Sequence, residues 1–155
     1  SYLPVENSAF FMEELGLLDW LRQFVPSHVT DADEPFLRGF LGKMLFSGDD
    51  IQKKTKVLSG GEKVRCMVSR MMLQNPNLAI LDQPTNHLDL ESITALNNGM
   101  IEFTGTILFT CHDHELTNTV ANRIIEIGSK THLDKLMTYD EYIMDASTKV
   151  QRVNL

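Results

Sequence analysis

Apolar residues recur at helical spacing in the first half of the chain and form short continuous runs in the second half. The clearest helical stripe follows Ser59, with apolar residues at positions i, i+3, i+4, i+7 and i+8. Its members are Val64, Met67, Val68, Met71 and Met72. Ser59 is suited to cap the start of this helix, and Asn75-Pro76-Asn77 is suited to end it. The pattern therefore predicts a helix between these two signals.

A second helical pattern lies earlier in the chain. Asp33 is placed to begin a helix that has Pro35 in its first turn. Its apolar positions are Leu37, Phe40, Leu41, Met44 and Leu45. Gly39 and Gly42 weaken this helix, and they permit close packing against a neighbouring element. Because residues 1–25 also become helical towards their end, we expect the first part of the chain to be mostly helical.

The second half alternates apolar runs with helical segments. We interpret residues 78–81 as a strand buried on both faces, and residues 106–110 as another buried strand. A helix capped by Asp89 lies between them. Later segments predict a short helix over 112–122, strands over 123–127 and 132–137, and a terminal helix over 139–149. This strand–helix–strand repetition predicts an α/β fold with a parallel sheet and right-handed crossovers.

The expected organisation has three parts. Residues 1–75 form a helical subdomain with a preceding loop, and residues 76–137 form the C-terminal part of an α/β core. Residues 138–155 form a terminal helix and tail. With 155 residues, of which 43% are hydrophobic, the chain can bury a sizeable core.

Composition indicates a cytoplasmic protein. No run of about 18 apolar residues occurs in the sequence, so no membrane insertion is expected. The first residues lack a basic region and an initiating Met, and we expect an internal start rather than a signal peptide. Cys66 and Cys111 lie in apolar segments, so reduced core thiols of a cytosolic protein are expected rather than a disulfide.

Charge is unevenly distributed along the chain. The net charge of the sequence is −7, which argues against a general nucleic-acid binder. Residues 51–70 differ, because six basic side chains accompany a single acidic one, Glu62, for a local net charge of +5. We interpret Lys53 and Lys54 as a solvated face. For the basic residues nearest Ser59, a solvated face and a field that attracts phosphate are both open interpretations.

Two positions carry chemistry that the predicted elements do not require. Ser59-Gly60-Gly61 stands at a helix start, where backbone N–H groups are unpaired and no side chain blocks their approach to a ligand. Such a site suits an anion, most naturally phosphate. Asp82 follows an apolar run at the carboxyl end of a predicted parallel strand, where open α/β sheets bind ligands. A carboxylate there is suited to hold Mg²⁺ through water against nucleotide phosphates.

These runs resemble the motifs of one known family. Leu58-Ser59-Gly60-Gly61-Glu62 is similar to the signature motif of ATP-binding-cassette (ABC) ATPases, and residues 78–89 are similar to their Walker B motif and D-loop. The sequence Gln83-Pro84-Thr85-Asn86-His87-Leu88-Asp89 most resembles the F family, soluble tandem-cassette ATPases that act on ribosomes. The resemblance extends over about residues 10–142 and is greatest to the second cassette. It implies part of a P-loop NTPase sheet together with a helical subdomain.

The resemblance also implies roles for individual residues. Asp82 would hold Mg²⁺, Asp89 would couple two ATP sites across an interface, and His112 would be the switch histidine that hydrogen-bonds the γ-phosphate. The residues that would contact ATP held by an opposite cassette are Leu58, Ser59, Gly60, Gly61 and Glu62. Plainer alternatives exist: Asp89 can be simply a helix cap, and a lone histidine such as His112 is more often structural or on the surface.

Two features of a complete cassette are absent from the sequence. There is no G-x-x-x-x-G-K-[ST] run, so the phosphate-cradling P-loop and its lysine are missing. We therefore expect the chain to be the C-terminal portion of a cassette. The family's glutamine loop, which senses Mg²⁺ and the attacking water, would fall near Val5, where no Gln stands.

Gln83 differs from the residue that the resembled family has at a catalytic position. Family members have Glu there, as the general base towards the water that attacks the γ-phosphate. A side-chain amide has nearly the same shape but no useful proton affinity, and losing general-base catalysis costs about 10²–10⁴ in rate. We therefore expect a hydrolysis-deficient cassette that stays closed on ATP, through an engineered trapping substitution or, alternatively, a naturally degenerate site.

The leading hypothesis is an ATP-binding and ATP-hydrolysing cassette of an F-family translation factor, with ATP and Mg²⁺ as cofactors. Its expected partners are a second nucleotide-binding domain, which completes the ATP sandwich, and the ribosome with its rRNA. Two alternatives remain. One is the nucleotide-binding subunit of an ABC membrane transporter, against which Asn86-His87-Leu88-Asp89 argues. The other is a truncated, non-enzymatic cassette fragment, which the absent P-loop keeps open.

Overall fold

The structure, a computed structural model, describes residues 1–4 and 6–153. The chain packs as two compact units, residues 1–111 and residues 112–155. The three-part division expected from the sequence, with boundaries after residues 75 and 137, remains a prediction. Among the described residues, no helix combines the length and the apolar character needed to span a bilayer.

A three-stranded parallel sheet organises the first unit. Its strands, in spatial order, are β1 (Tyr2–Leu3), β2 (Leu78–Asp82) and β3 (Thr106–Thr110). The parallel pairing of β2 with β3 confirms the predicted sheet. The strand β1 was not predicted, because two residues are too few to show an alternating pattern. It is fixed in place by pairing Tyr2 with Ile80 and Leu3 with Leu81.

Four helices accompany this sheet: α1 (Leu17–Arg22), α2 (Glu34–Lys43), α3 (Gly60–Gln74) and α4 (Leu90–Glu102). Short 3₁₀ turns occupy Ser8–Phe11, Gly48–Gln52 and Thr55–Val57. The helix expected after Ser59 is α3, which ends at Asn75 in the left-handed conformation (φ 40°). Its stripe is buried at Met67, Val68 and Met71, as the helical spacing predicts.

The parallel sheet is buried on one face only. In β2, Ala79 and Leu81 are at most 1% exposed, whereas Leu78 and Ile80 are 45% and 38% exposed. Leu108 of β3, opposite Ile80, is exposed as well. The prediction that both strands are fully buried is therefore wrong for the described residues. A run of apolar residues indicates a strand, but it does not show whether both faces are covered.

The glycines of α2 do not serve close packing. A Cβ added to Gly39 or Gly42 would meet nothing within 4 Å, which contradicts the interpretation of the sequence. The close approach lies instead in α4, where a Cβ on Gly99 would stand 2.9 Å from Met44 Cε and 3.4 Å from Met72 Sδ. This glycine allows α4 to pack closely against Met72 of α3.

An aromatic cluster anchors the N-terminal segment to the helices. The Trp20 ring stacks on Phe11 with centroids 4.9 Å apart, and its Nε1 donates a 2.8 Å hydrogen bond to the Phe10 carbonyl. The Arg70 guanidinium lies over the rings of Phe24 and Phe10, at 4.2 and 5.0 Å. Burial lowers the pKa of Arg70. The 3₁₀ turn at residues 8–11 is thereby held against α1 and α3.

The second unit contains α5 (His114–Val120), β4 (Ile124–Ile127), β5 (His132–Lys135), α6 (Tyr139–Met144) and α7 (Ala146–Arg152). The strand predicted over 123–127 is β4, but it pairs antiparallel with β5 and not within the parallel sheet. A turn of four residues between them leaves room only for a hairpin. The predicted terminal helix is two helices, because Asp145 ends α6 in an extended conformation and caps α7.

We expect Gly105→Ala to lower the free energy of unfolding by about 1–3 kcal/mol, as overpacking does. A Cβ at Gly105 would stand 2.6 Å from the Pro76 carbonyl oxygen and 2.7 Å from the Phe103 ring. Gly39→Ala is the matched control. It enters open space inside a helix and should raise the free energy of unfolding by up to about 1 kcal/mol. Urea unfolding followed by circular dichroism measures both, and equal effects would contradict the packing at Gly105.

We expect the Asp145 carboxyl to titrate near pH 2 in the folded protein. Hydrogen bonds from Ser147 and then Thr148 lower its pKa to about 2. An Asp in the unfolded chain has a pKa of about 3.9. Because the pKa is lower in the folded protein, this carboxylate stabilises the fold above about pH 3.9, and its contribution is lost as the pH falls towards 2. A ¹³C NMR titration of the carboxyl carbon checks this. Ser147→Ala should move the midpoint upwards, and an ordinary midpoint in the unsubstituted protein would contradict the cap geometry.

Candidate functional site

The start of α3 is closed by a reciprocal pair of hydrogen bonds. The Ser59 hydroxyl accepts from the Glu62 backbone N–H at 3.2 Å, and the Glu62 carboxylate accepts from the Ser59 N–H at 2.8 Å. This capping box satisfies two backbone donors that the first turn would otherwise leave unpaired. The N–H groups of Gly60 and Gly61 are not part of it. The cap predicted for Ser59 is confirmed.

The second oxygen of Glu62 binds Lys53, at 2.7 Å, and Lys53 also contacts Asp50 at 2.8 Å. Burial opposes the ionisation of Glu62, but the hydrogen bonds from Lys53 and Ser59 outweigh it, and the pKa of Glu62 is lowered. Asp50 and Glu62 raise the pKa of Lys53. Lys53 lies on a solvated face, as predicted, with 40% of its side chain exposed, and its ammonium also joins two carboxylates.

Other basic residues of the stretch 51–70 are also engaged within the fold. Lys56 pairs with Glu14 at 2.9 Å. Arg65 lies 4.8 Å from the Phe46 ring and donates a 3.1 Å hydrogen bond to the Met44 carbonyl. Together with Lys53, Arg70 and Lys63, whose ammonium lies 5.9 Å from the centre of the Phe11 ring, this accounts for five of the six positive charges. Much of the local excess of positive charge is therefore used to hold the fold.

The first turn of α3 packs against the loop that follows β2. A Cβ on Gly61 would stand 3.0 Å from the His87 carbonyl oxygen, and one on Gly60 would stand 3.8 Å from the His87 Cβ. His87 itself is in the left-handed conformation, with φ 64°. A side chain at position 61 would therefore push against backbone that has little freedom to move. The structure brings the predicted signature motif and D-loop into contact.

A cleft of about 490 Å³ lies where these two segments meet. Its lining residues are Ser59, Gly60, Gly61, Glu62, Arg65, His87, Asp89 and Ser92. Asp89 caps α4 by accepting a 2.8 Å hydrogen bond from the Ser92 N–H. This bond, helped by the charge of Arg65, lowers the pKa of Asp89. Five of the predicted site residues thus share one cleft, whereas Leu58 is buried beneath them.

Asp82 and Gln83 are positioned by β3. The Thr110 hydroxyl donates a 2.7 Å hydrogen bond to Asp82 Oδ1, and the Gln83 N–H donates to the Thr110 carbonyl at 3.0 Å. Gln83 adopts the left-handed conformation, with φ 47°. Its Oε1 accepts a 3.0 Å hydrogen bond from the Asn86 side chain. The end of β2 therefore holds a carboxylate and an amide in a defined arrangement.

A second, smaller cavity of about 140 Å³ opens beside this strand end. Its polar lining residues are Glu6, Asn7, Ser8, Lys63, Asp82, Gln83, Asn86 and His87. Carboxylate and amide oxygens are the donors that Mg²⁺ prefers. Within the described ranges, no three His, Cys, Asp or Glu residues cluster as metal ligands. The donor set fits Mg²⁺ bound by one or two carboxylates together with nucleotide phosphates, rather than an all-protein cage.

The other residues predicted from the sequence lie outside these two cavities. His112 is the exposed first residue of the second unit, two residues before α5, whose cap is Asp113. Its role as a switch histidine remains a prediction. The glutamine loop expected near Val5 lies outside the described residues. Cys66 is buried, as expected of a core thiol, and burial raises its pKa, whereas Cys111 is only half-buried and its Sγ lies 3.4 Å from the Thr85 hydroxyl.

Several polar residues of this cavity were missed from the sequence, among them Asn7, Lys63 and Asn86. Lys63 was seen only as one of several basic residues, and Asn86 only as part of a motif. Asn7 stands far from Asp82 in the sequence and reaches the same cavity because β1 pairs with β2. No local pattern in the sequence could have indicated it.

Comparison with known proteins gives consistent results. The family described as ABC transporter matches residues 9–86, half of the chain. YkpA of Bacillus subtilis, named as an ABC transporter ATP-binding protein, is 56% identical over 156 residues, covering 100% of this chain and 28% of its own length. ABC transporter F family member 5 of Arabidopsis thaliana is 35% identical over 147 residues, covering 90% of this chain and 21% of its own length. The chain thus spans about a quarter of the length of these curated relatives.

Solved structures share the fold. RNase-L Inhibitor superposes with a TM-score of 0.69 at 22% identity, covering 92% of this chain and 28% of that one. An inward-facing ABC transporter of the metal-chelate type gives a TM-score of 0.63 at 15% identity, covering 99% of this chain and 64% of that one. At these identities the likeness shows the fold alone, the α/β fold of a P-loop NTPase cassette. With the family match and the relatives, it shows that the chain belongs to the ABC transporter family as part of an ATP-binding cassette.

Proposed function

We propose that this chain is part of a cassette of an F-family ATPase that binds ATP with Mg²⁺ and acts on the ribosome as a cytoplasmic translation factor. The observation that carries the proposal is the loop of residues 83–89, packed through His87 against Gly61. Its sequence is the one that most resembles the F family. The relative named as an F family member, identical at 35% of positions over 147 residues, supports the same assignment.

The cleft at the start of α3 is proposed to receive ATP held by a second nucleotide-binding domain. A helix start leaves backbone N–H groups unpaired, and the Ser59 cap satisfies only that of Glu62. The backbone N–H groups of Gly60 and Gly61 can therefore donate hydrogen bonds to a phosphate. The partial positive charge of the helix end also favours an anion there. Because the Glu62 carboxylate is already held by Ser59 and Lys53, its part is to shape this turn.

Asp82 is the proposed Mg²⁺ residue. Thr110 donates to Oδ1 of its carboxylate and so fixes the orientation of the group at the end of β2. The ion, when bound, would neutralise charge on the nucleotide phosphates. Asp82 would then position the ion, and the neighbouring polar groups of the small cavity would hold water.

Gln83 is proposed to make this cassette deficient in hydrolysis. Its Oε1 accepts a hydrogen bond from Asn86, and the other end of the amide is an NH₂ group, which donates hydrogen bonds. Neither end can remove a proton from water, whereas a carboxylate at this position can. The closed, ATP-bound state, which hydrolysis normally ends, would therefore persist.

We expect Gln83→Glu in the complete protein that carries this chain to raise ATP turnover by about 10²–10⁴-fold, because a general base is restored. Steady-state phosphate release measures the change. The matched control is Gln23→Glu, the same chemical change at an exposed residue that ends α1, and it should leave turnover unchanged. Turnover that Gln83→Glu does not alter would contradict the role given to Gln83.

We also expect the complete protein to sediment with ribosomes in ATP and not in ADP. ATP would close the paired cassettes, and Gln83 would prevent the release that follows hydrolysis. Co-sedimentation with ribosomes and, separately, with membrane vesicles measures this. Pelleting with membranes would favour a transporter subunit instead. Equal retention on ribosomes in both nucleotides would contradict the proposal.

A further inference from the structure

One residue of α6, Asp140, holds α5 at two points. Its Oδ1 lies 2.9 Å from Nε2 of His114, the first residue of α5, and its backbone N–H donates a 3.0 Å hydrogen bond to the Asn118 side chain. His114 and Asn118 are four residues apart, so they lie on the same face of the helix. The His114 ring also meets the Tyr139 ring edge-on, with centroids 5.3 Å apart. We call these contacts the Asp140 clamp.

The helix that carries Asp140 is itself fixed in the unit. The Thr138 hydroxyl accepts from the Glu141 N–H at 3.4 Å, and the Glu141 carboxylate accepts from the Thr138 N–H at 2.8 Å, so α6 starts with a capping box. Further along α6, Tyr142 is 3% exposed and donates its hydroxyl to the Glu126 carboxylate of β4. The clamp therefore ties α5 to a helix that a cap and a buried side chain already hold.

The start of α5 carries His112. The Asp113 carboxylate caps this helix by accepting a 2.7 Å hydrogen bond from the Leu116 N–H. Because the cap residue follows His112 directly, a shift of α5 moves His112 with it. The helix has seven residues, of which Leu116 is buried. A helix this short depends on contacts with its neighbours to keep its position.

We propose that Asp140 is a positioning residue for His112, because it holds, through His114 and Asn118, the helix at whose start His112 lies. This inference rests on the proposed function, since it requires ATP and a hydrogen bond from His112 to the γ-phosphate. The His114 and Asp140 side chains are 60% and 53% exposed, and a pair of this kind contributes little to the stability of a whole fold. Its effect therefore falls on the local position of α5.

The first test follows hydrogen exchange at the backbone amides of α5 in the complete protein without nucleotide. Asp140→Ala and His114→Ala should each speed this exchange about three- to fivefold, because α5 opens locally more often. The midpoint of thermal unfolding should not change. Glu115→Ala removes an exposed carboxylate from α5 itself and should leave the exchange rates within about twofold.

A double variant shows whether the clamp acts as a unit. Asp140 also lies in the first turn of α6, where a carboxylate favours the helix by itself. If the effect comes from the contact with His114, the variant with both substitutions should exchange no faster than Asp140→Ala alone.

The second test measures ATP turnover in the complete protein that carries Gln83→Glu. Asp140→Ala and His114→Ala should each lower kcat about three- to fivefold and leave the KM for ATP within about twofold. His114→Gln keeps a nitrogen donor at about the reach of Nε2 and should return kcat to within about twofold of the parent value. Glu115→Ala should leave kcat unchanged.

Any of four results would overturn the inference: exchange in α5 that neither single variant speeds, a kcat that neither single variant lowers, effects that add in the double variant, or an equal effect of Glu115→Ala. Failure of the proposed function has a separate signature. In that case the complete protein with Gln83→Glu would not hydrolyse ATP, and both proposals would be overturned together. Turnover that is present but insensitive to the changes at positions 114 and 140 would overturn this inference alone.

Discussion

The contact between Gly61 and the His87 carbonyl is the constraint on which the site depends. It fixes how closely α3 approaches the loop after β2, and it joins a helix start to a strand end without any side chain between them. The cleft beside α3 and the small cavity beside β2 share Gly60 and His87, so both are shaped by this one approach. A residue larger than glycine would separate the two segments and change both sites at once.

Charged side chains in the same region are already bound to other groups of the fold, which limits what they can offer to a ligand. Lys53 ties the cap of one turn, through Asp50, to the cap of α3, through Glu62. Arg70 is stacked on aromatic rings, and Arg65, although it lines the cleft, lies over the Phe46 ring and donates to the Met44 carbonyl. The hydrogen-bond donors at the start of α3 that the cap leaves for an anion are its first backbone N–H groups. Binding at such a site depends on geometry more than on net charge, which fits a chain whose overall charge is −7.

Local signals were predictable from the sequence, and contacts between distant segments were not. Ser59 and Asn75 are residue types that cap helices, so both ends of α3 could be predicted from the sequence. The motif that begins at Ser59 also indicated residues that line the large cleft. The exposed face of β2, the hairpin of β4 and β5 and the break at Asp145 depend on what packs nearby, which periodicity does not record. Asn7 is the clearest case, because it reaches the cavity beside Asp82 only through the pairing of β1 with β2.

The aromatic anchor of the N-terminal segment has a practical consequence. Trp20 is the single tryptophan of the sequence, and its indole bonds and stacks with the two residues that end the turn after Asn7. Emission from this ring is therefore sensitive to any rearrangement of the segment that borders the strand-end cavity. This part of the chain contains its own optical reporter, and ligand arrival there can be followed without an attached dye.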